Sequence, residues 1–364
     1  MILQEIISHL ESIAPKSLQE SYDNSGLLVG DSNMEINSAV IALDVTEAVV
    51  YAAIKNNSNL IIAHHPIIFG GIKKLTGSNF VERILIEAIK NNIAIYAIHT
   101  NLDNIKNGVN TAFAEALGLQ NLRVLKPMAG QLYKLVTFAP HTNAADIRQA
   151  MFNAGAGNIG NYDECSFNTE GTGTFRGNDD SNPVIGERGI THAEPETRIE
   201  VIYPKWKEAA IMNALKKAHP YEEVAYDILP LANKYQNIGA GMIGSFTHPM
   251  QETFFLESVK VKMKTECVRH TALLHKSIKK VAICGGSGSF LLQDAIRAGA
   301  DAFISADFKY HQFFDADNKI LIADIGHYES EQFTIPLIAN LLQKKFPNFA
   351  LHFSSINTNP VNYL

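Results

Sequence analysis

The chain has 364 residues, a formal net charge of -6, 46% hydrophobic residues and 19% charged residues. This is an ordinary globular balance over a length that suggests two domains, and no Lys/Arg block marks a nucleic-acid or anionic-membrane surface. Cys165, Cys267 and Cys284 are scattered and fit no C-x-x-C pattern, which argues for a reducing compartment and against thiolate ligands. No apolar stretch is long enough to span a bilayer, so a cytoplasmic protein is expected.

The opening "MILQEIISHLESIAP" places Ile2, Leu3, Ile6, Ile7 and Leu10 at helical spacing, broken by Glu5 and Glu11. It reads as an amphipathic helix rather than a secretion signal. "AVIAL" (39–43), "LIIA" (60–63) and "IAIYAI" (93–98) are short continuous apolar runs, as in strands buried on both faces of a parallel sheet. A helical stretch, 79–92, separates the last two. The alternation returns late, with strands at 280–284, 302–305 and 320–324 and helices at 290–300 and 331–345. Between these blocks the pattern is strand 131–140, helix 143–157, weak strand 164–175, strand 198–204, helix 207–220 and strand 222–231. That order, β-α-β-β-α-β, predicts a ferredoxin-like α+β domain over 126–235. It interrupts one discontinuous α/β domain made of 1–125 and 236–364.

Histidine carries the chemical signal. His64 and His65 end the second strand, His99 and Asp103 follow the third, and His327 and Glu331 follow a late strand. Ligands of open α/β sheets bind beyond the carboxyl ends of strands, so these distant loops are expected at one edge. His327 and Glu331, four residues apart, can face the same way on a first helical turn. Each cluster taken singly also fits a solvated turn or a helix start. Together, His64, His65, Asp103, His327 and Glu331 give three nitrogen donors and two carboxylates. That mixture suits Zn, Fe, Mn or Ni and lacks the sulfur of a closed structural zinc site. Two divalent ions per chain sharing a bridging carboxylate, with water in the open positions, fits the count; such pairs lie roughly 3.5–4 Å apart.

Other features leave alternatives open. "ICGGSGSFLL" (283–292) is either a phosphate-binding turn or a plain tight turn. Asp307 and His311 stand either at an active-site rim or on ordinary surface. Lys73, Lys74 and Lys309 either neutralise a phosphate or are simply solvated. Asp44 reads as a cap or as a partner to a ligand. No G-x-S-x-G elbow appears.

"YDNSGLLVGD", "ALDVT", "AHHPIIF", "HTNLD", "ICGGSG" and "GHYESE", in that order, resemble the GTP cyclohydrolase 1 type 2 homolog (NIF-three-like) family. "GTGTFRG", "NPVIGERG" and "HPYEEVAYDI" resemble the inserted PII/CutA-like domain of its longer bacterial members. The resemblance implies a dinuclear centre whose ligands fall on His64, His65, Asp103, His327 and Glu331. It also implies a toroidal homohexamer with the metal sites facing an internal cavity. Tyr22 stands where the family often has Trp, and Ser305-Ala306 where it often has Thr-Gly; neither touches the five ligands. The function implied is metal-dependent hydrolysis of a nucleotide or small phosphorylated compound, GTP being the substrate of the family name. His99 or His311 is then a candidate proton shuttle. Metal handling or delivery, or a regulatory scaffold without catalysis, is the alternative.

Overall fold

The computed structural model describes residues 1–354 and 356–364. The chain divides into two compact units, Met1–Pro127 with Asn237–Leu364, and Met128–Gln236.

The first unit holds two sheets. One contains β1 (Gly26–Val29), β2 (Ser38–Ala42), β3 (Leu60–Ala63), β4 (Ala94–Ala97) and, from the far end of the chain, β15 (Ala350–Phe353), in the order β1-β4-β3-β2-β15. β2, β3 and β4 are buried at every position and pair in parallel, because helices cover both faces. Two of these helices start on side-chain caps. Thr46 accepts from the Val49 N–H to open Glu47–Lys55, and Asn79 accepts from the Glu82 N–H to open Phe80–Lys90. β1 closes one edge antiparallel to β4, and β15 adds to the other edge parallel to β2.

The second sheet contains β5 (Gln120–Met128), β10 (Tyr235–Gln251), β11 (Arg269–His270), β12 (Ser277–Ser287), β13 (Ala302–Ala306) and β14 (Leu321–Asp324), in the order β11-β14-β13-β12-β10-β5. β12, β13 and β14 are parallel, whereas β10 and β11 run antiparallel to their neighbours. The α/β alternation in the sequence therefore describes the middle of this sheet and misses its antiparallel flank. The expected helix at 331–345 is two helices, His327–Glu331 and Thr334–Lys345.

The second unit is a four-stranded antiparallel sheet of β6 (Leu132–Pro140), β7 (Ser166–Arg176), β8 (Thr191–Pro204) and β9 (Tyr226–Pro230), in the order β7-β8-β6-β9. Helices Ala144–Asn153 and Glu208–Ala218 follow β6 and β8. Their apolar stripes, Ile147 and Met151 on one and Ile211 and Leu215 on the other, bury against Leu135, Ile199 and Val201 of the sheet. Among the described residues no helix is long and apolar enough to cross a membrane.

β10 runs close against β5 at Gly239, where an added Cβ would stand 2.1 Å from the Lys126 carbonyl oxygen. A side chain there must push two backbones apart. Gly239→Ala is expected to lower stability by about 1–3 kcal/mol, the usual range for overpacking. Gly71→Ala, which meets open space, leaves it unchanged. Thermal unfolding of both variants checks this.

Candidate metal centre

The parallel strands of both sheets aim their carboxyl ends at one cavity of about 1650 Å³ in the first unit. β3 ends in His64 and His65. β4 leads through His99 into the short helix Thr100–Asp103, and β14 leads through Gly326 into His327–Glu331. The structure brings together all five sequence-expected residues, and His99 joins them.

Glu331 sits at the centre, 2% exposed. Its two oxygens face different partners. Oε1 lies 3.9 Å from His64 Nε2, whereas Oε2 lies 2.9 Å from His65 Nε2 and 3.1 Å from His327 Nε2. His64, Asp103 and Glu331 thus form one trio, and His65, His327 and Glu331 another, with donor atoms inside each within 4.8 Å of one another. Gly286, in the irregular last stretch of β12 where the register with β13 shifts, has φ 60°, and an added Cβ would lie 2.4 Å from Glu331 Oε1. The glycine lets backbone approach the carboxylate as no larger residue would.

Each imidazole is aimed by a partner on its other nitrogen. His64 Nδ1 donates to the Ile98 carbonyl at 2.8 Å, leaving the lone pair of the neutral ring on Nε2. His65 Nδ1 pairs with Asp44 at 2.7 Å, and Asp44 is itself held by the Thr358 hydroxyl at 2.6 Å. His327 Nδ1 pairs with Asp307 at 2.6 Å, and His99 Nδ1 with Asp23 at 2.8 Å. Such outer partners fix the tautomer and orientation of metal-binding histidines.

The electrostatics are those of a site built around positive charge. Burial opposes ionisation of Asp103, and the neighbouring Glu331 adds to that, raising it to about 7. Burial also opposes a charge on Glu331, yet hydrogen bonds from His327 and His65 outweigh it and hold Glu331 well below the usual carboxylate range. On His65, burial is overcome by hydrogen bonds to Asp44 and Glu331, which raise it to about 9. On His327 it is overcome by bonds to Asp307 and Glu331, which raise it to about 11.

A metal fits these residues on a separate observation. His64 Nε2 and Asp103 Oδ1 are both buried without a hydrogen-bond partner, and they lie 3.6 Å apart. An unpaired buried polar atom costs about 1–3 kcal/mol. A cation between them satisfies both. Nitrogen and oxygen donors without thiolate suit a borderline divalent ion. Cys284 lines the cavity, but burial, then Asp103 and Glu331, push its thiol up and away from thiolate.

The remaining sequence candidates separate. Asp44 is a histidine partner. Asp307 is at the rim and takes φ 58° itself, so Ala306 in place of glycine meets no strain there. His311 is exposed, packs on Tyr310 and Phe314 and does not line the cavity. The glycines at the end of β12 offer no free N–H groups to a phosphate at Gly285 and Gly286, which donate to Asn110 and Ser330. Lys73 and Lys74 line the cavity, whereas Lys309 does not. Asp23 and Thr358 went unread as site residues, since their partners are 76 and 314 residues away.

A family model described as Duf34/NIF3 (NGG1p interacting factor 3) matches residues 1–360. The chain belongs to the Duf34/NIF3 family. Curated relatives of this family from Halalkalibacterium halodurans and Bacillus subtilis, both named GTP cyclohydrolase 1 type 2 homolog, are 40% and 38% identical to it. Each alignment covers 99% of this chain and 98% of the relative. Among solved structures, a Bacillus cereus protein related to NIF3 is similar with a TM-score of 0.88 at 40% identity, covering 100% of this chain and 99% of that one. A Staphylococcus aureus protein matches with a TM-score of 0.80 at 30% identity over the same shares. The mixed α/β architecture with several sheets is thus that of NIF3 proteins.

One wall of the cavity is a loop carrying Phe69, Lys73 and Lys74. Glu82 fastens it, accepting from the Thr76 N–H at 2.9 Å, the Ser78 N–H at 3.0 Å and both hydroxyls. These bonds, the backbone ones first, lower Glu82 from 4.5 to about 2. A depressed carboxylate stabilises above its unfolded pKa and loses that contribution as pH falls through the folded one. The loop is therefore expected to loosen as pH drops from about 4.5 towards about 2. At neutral pH, Glu82→Gln is expected to speed tryptic cleavage after Lys73 or Lys74. An unchanged rate would show that Glu82 does not hold the loop.

Proposed function

We propose that this chain binds two divalent metal ions and acts as a metal-dependent hydrolase of a nucleotide or other small phosphorylated compound. One observation carries it: the buried Glu331 carboxylate turns one oxygen to His64 and the other to His65 and His327. A single ion needs no such division. Two ions sharing a carboxylate do. His64, Asp103 and Glu331 would hold one ion, and His65, His327 and Glu331 the other. When bound, such a pair acidifies water and polarises a phosphoryl or carbonyl oxygen.

The chain's own residues have separate tasks. Asp44, Asp307 and the Ile98 carbonyl hold the imidazoles in fixed orientation. Phe69 and Phe80 give the cavity apolar walls, and Lys73 and Lys74 supply positive charge for a phosphate. The relatives' shared name makes GTP the first substrate to test. We read residues 128–236 as a ferredoxin-like, PII/CutA-like insert, on its β-α-β-β-α-β order and strand order. By family resemblance the chain is read as a subunit of a toroidal homohexamer working in the cytoplasm.

Protein loaded separately with Zn, Mn, Fe and Ni should be offered GTP, other nucleotides and phosphate monoesters. Turnover is expected with at least one metal, abolished by chelation and restored by re-addition, while far-UV circular dichroism stays unchanged. Asp103→Asn should lose most of it. Metals retained with no turnover of any substrate would sink the hydrolase reading and leave metal handling at the same site. Unfolding on chelation would instead mark a structural metal.

A further inference from the structure

The third histidine grouping is unused by the two-ion arrangement. His64, His65 and His99 each place a ring nitrogen within 4.8 Å of the other two. Their ring centroids are 4.9, 5.2 and 5.3 Å apart, with His99 set nearly edge-on to both neighbours. All three Nδ1 atoms are committed, to the Ile98 carbonyl, to Asp44 and to Asp23. That leaves Nε2 of each ring for a ligand, and on His65 an ion there would replace the 2.9 Å contact with Glu331.

The anchoring of His99 is the most extensive. The Asp23 side chain is 0% exposed, and besides His99 it accepts from the Thr100 N–H at 3.0 Å and the Ser25 hydroxyl at 2.9 Å. His99 keeps only 12% of its own side chain exposed. Among the described residues its Nε2 hydrogen-bonds nothing in the protein. A largely buried imidazole clamped this firmly, with a ring nitrogen within 4.8 Å of one on each of two others, has the form of a ligand.

We propose that His64, His65 and His99 form a tris-imidazole site that takes a single borderline divalent ion, such as Zn2+ or Co2+, when metal is scarce. The inference rests on metal binding at this cluster and not on hydrolysis. Three imidazoles with fixed tautomers are a donor set that zinc accepts with a fourth position left open. Borderline ions favour imidazole nitrogen over carboxylate oxygen. Because the site uses His64 and His65, an ion there excludes the pair that shares Glu331. One-ion and two-ion states are alternatives, and adding the second ion releases His99.

The test is a Co2+ titration of the metal-free full-length chain, followed by visible absorption and X-ray absorption. The first equivalent is expected to show three-imidazole scattering, and the spectrum is expected to change when the second binds. His99→Ala should lose the first-equivalent signature and weaken the first step by at least about 10–100-fold, the loss typical of even an outer partner. Asp103→Asn should keep that signature. Asp23→Asn, which retains the ring but frees it, should weaken the first step by about 10–100-fold, and it serves if His99→Ala does not fold. First-step affinity and spectrum unchanged in His99→Ala, or in Asp23→Asn if His99→Ala is unfolded, would overturn the tris-imidazole site while leaving the two-ion reading standing. No Co2+ bound by the unaltered chain would overturn both.

Discussion

Glu331 is a carboxylate at 2% exposure with a second carboxylate, Asp103, beside it. Burying negative charge is expensive unless opposite charge and hydrogen bonds accompany it. The surrounding residues are arranged to supply both. Without metal, protons on His65 and His327 do so, which is why both imidazoles titrate far above their ordinary range. Two atoms stay unrelieved even then, His64 Nε2 and Asp103 Oδ1. A site that protons satisfy incompletely is one that a multivalent cation satisfies better.

The fold follows from this requirement more than it first suggests. The donors after β3 and β4 come from one sheet and those after β14 from the other, so the site exists only because both sheets end their parallel strands at one cavity. The chain closes the arrangement from its far end. β15 adds to the sheet that begins near the N-terminus, and Thr358, just beyond it, holds Asp44, which holds His65. Gly286, near the end of β12, brings backbone to within reach of Glu331 while its own N–H and that of Gly285 are satisfied elsewhere. Positioning groups thus come from every part of the first unit.

The buried parallel strands were legible because burial on both faces leaves an uninterrupted apolar run. Histidines directly after such runs were legible as a cluster because strand ends share an edge. β5 and β10 were not read. β10 carries Gly239, Gly241 and Gly244, which weaken any strand pattern, and at Gly239 the reason is close backbone approach that only three-dimensional context reveals. From sequence His99 fits a solvated turn, a helix start or a proton shuttle, because its anchor, Asp23, lies 76 residues away. Long-range hydrogen bonds leave no local signature, so the imidazoles could be listed from the sequence while the groups that orient them could not.

The most direct measurement is anomalous scattering from crystals of chelator-free, metal-saturated protein. Two peaks roughly 3.5–4 Å apart are predicted, as in other carboxylate-bridged pairs, one on the Oε1 side and one on the Oε2 side of Glu331. A saturated crystal with one peak, or with peaks that do not flank that carboxylate, would contradict the account.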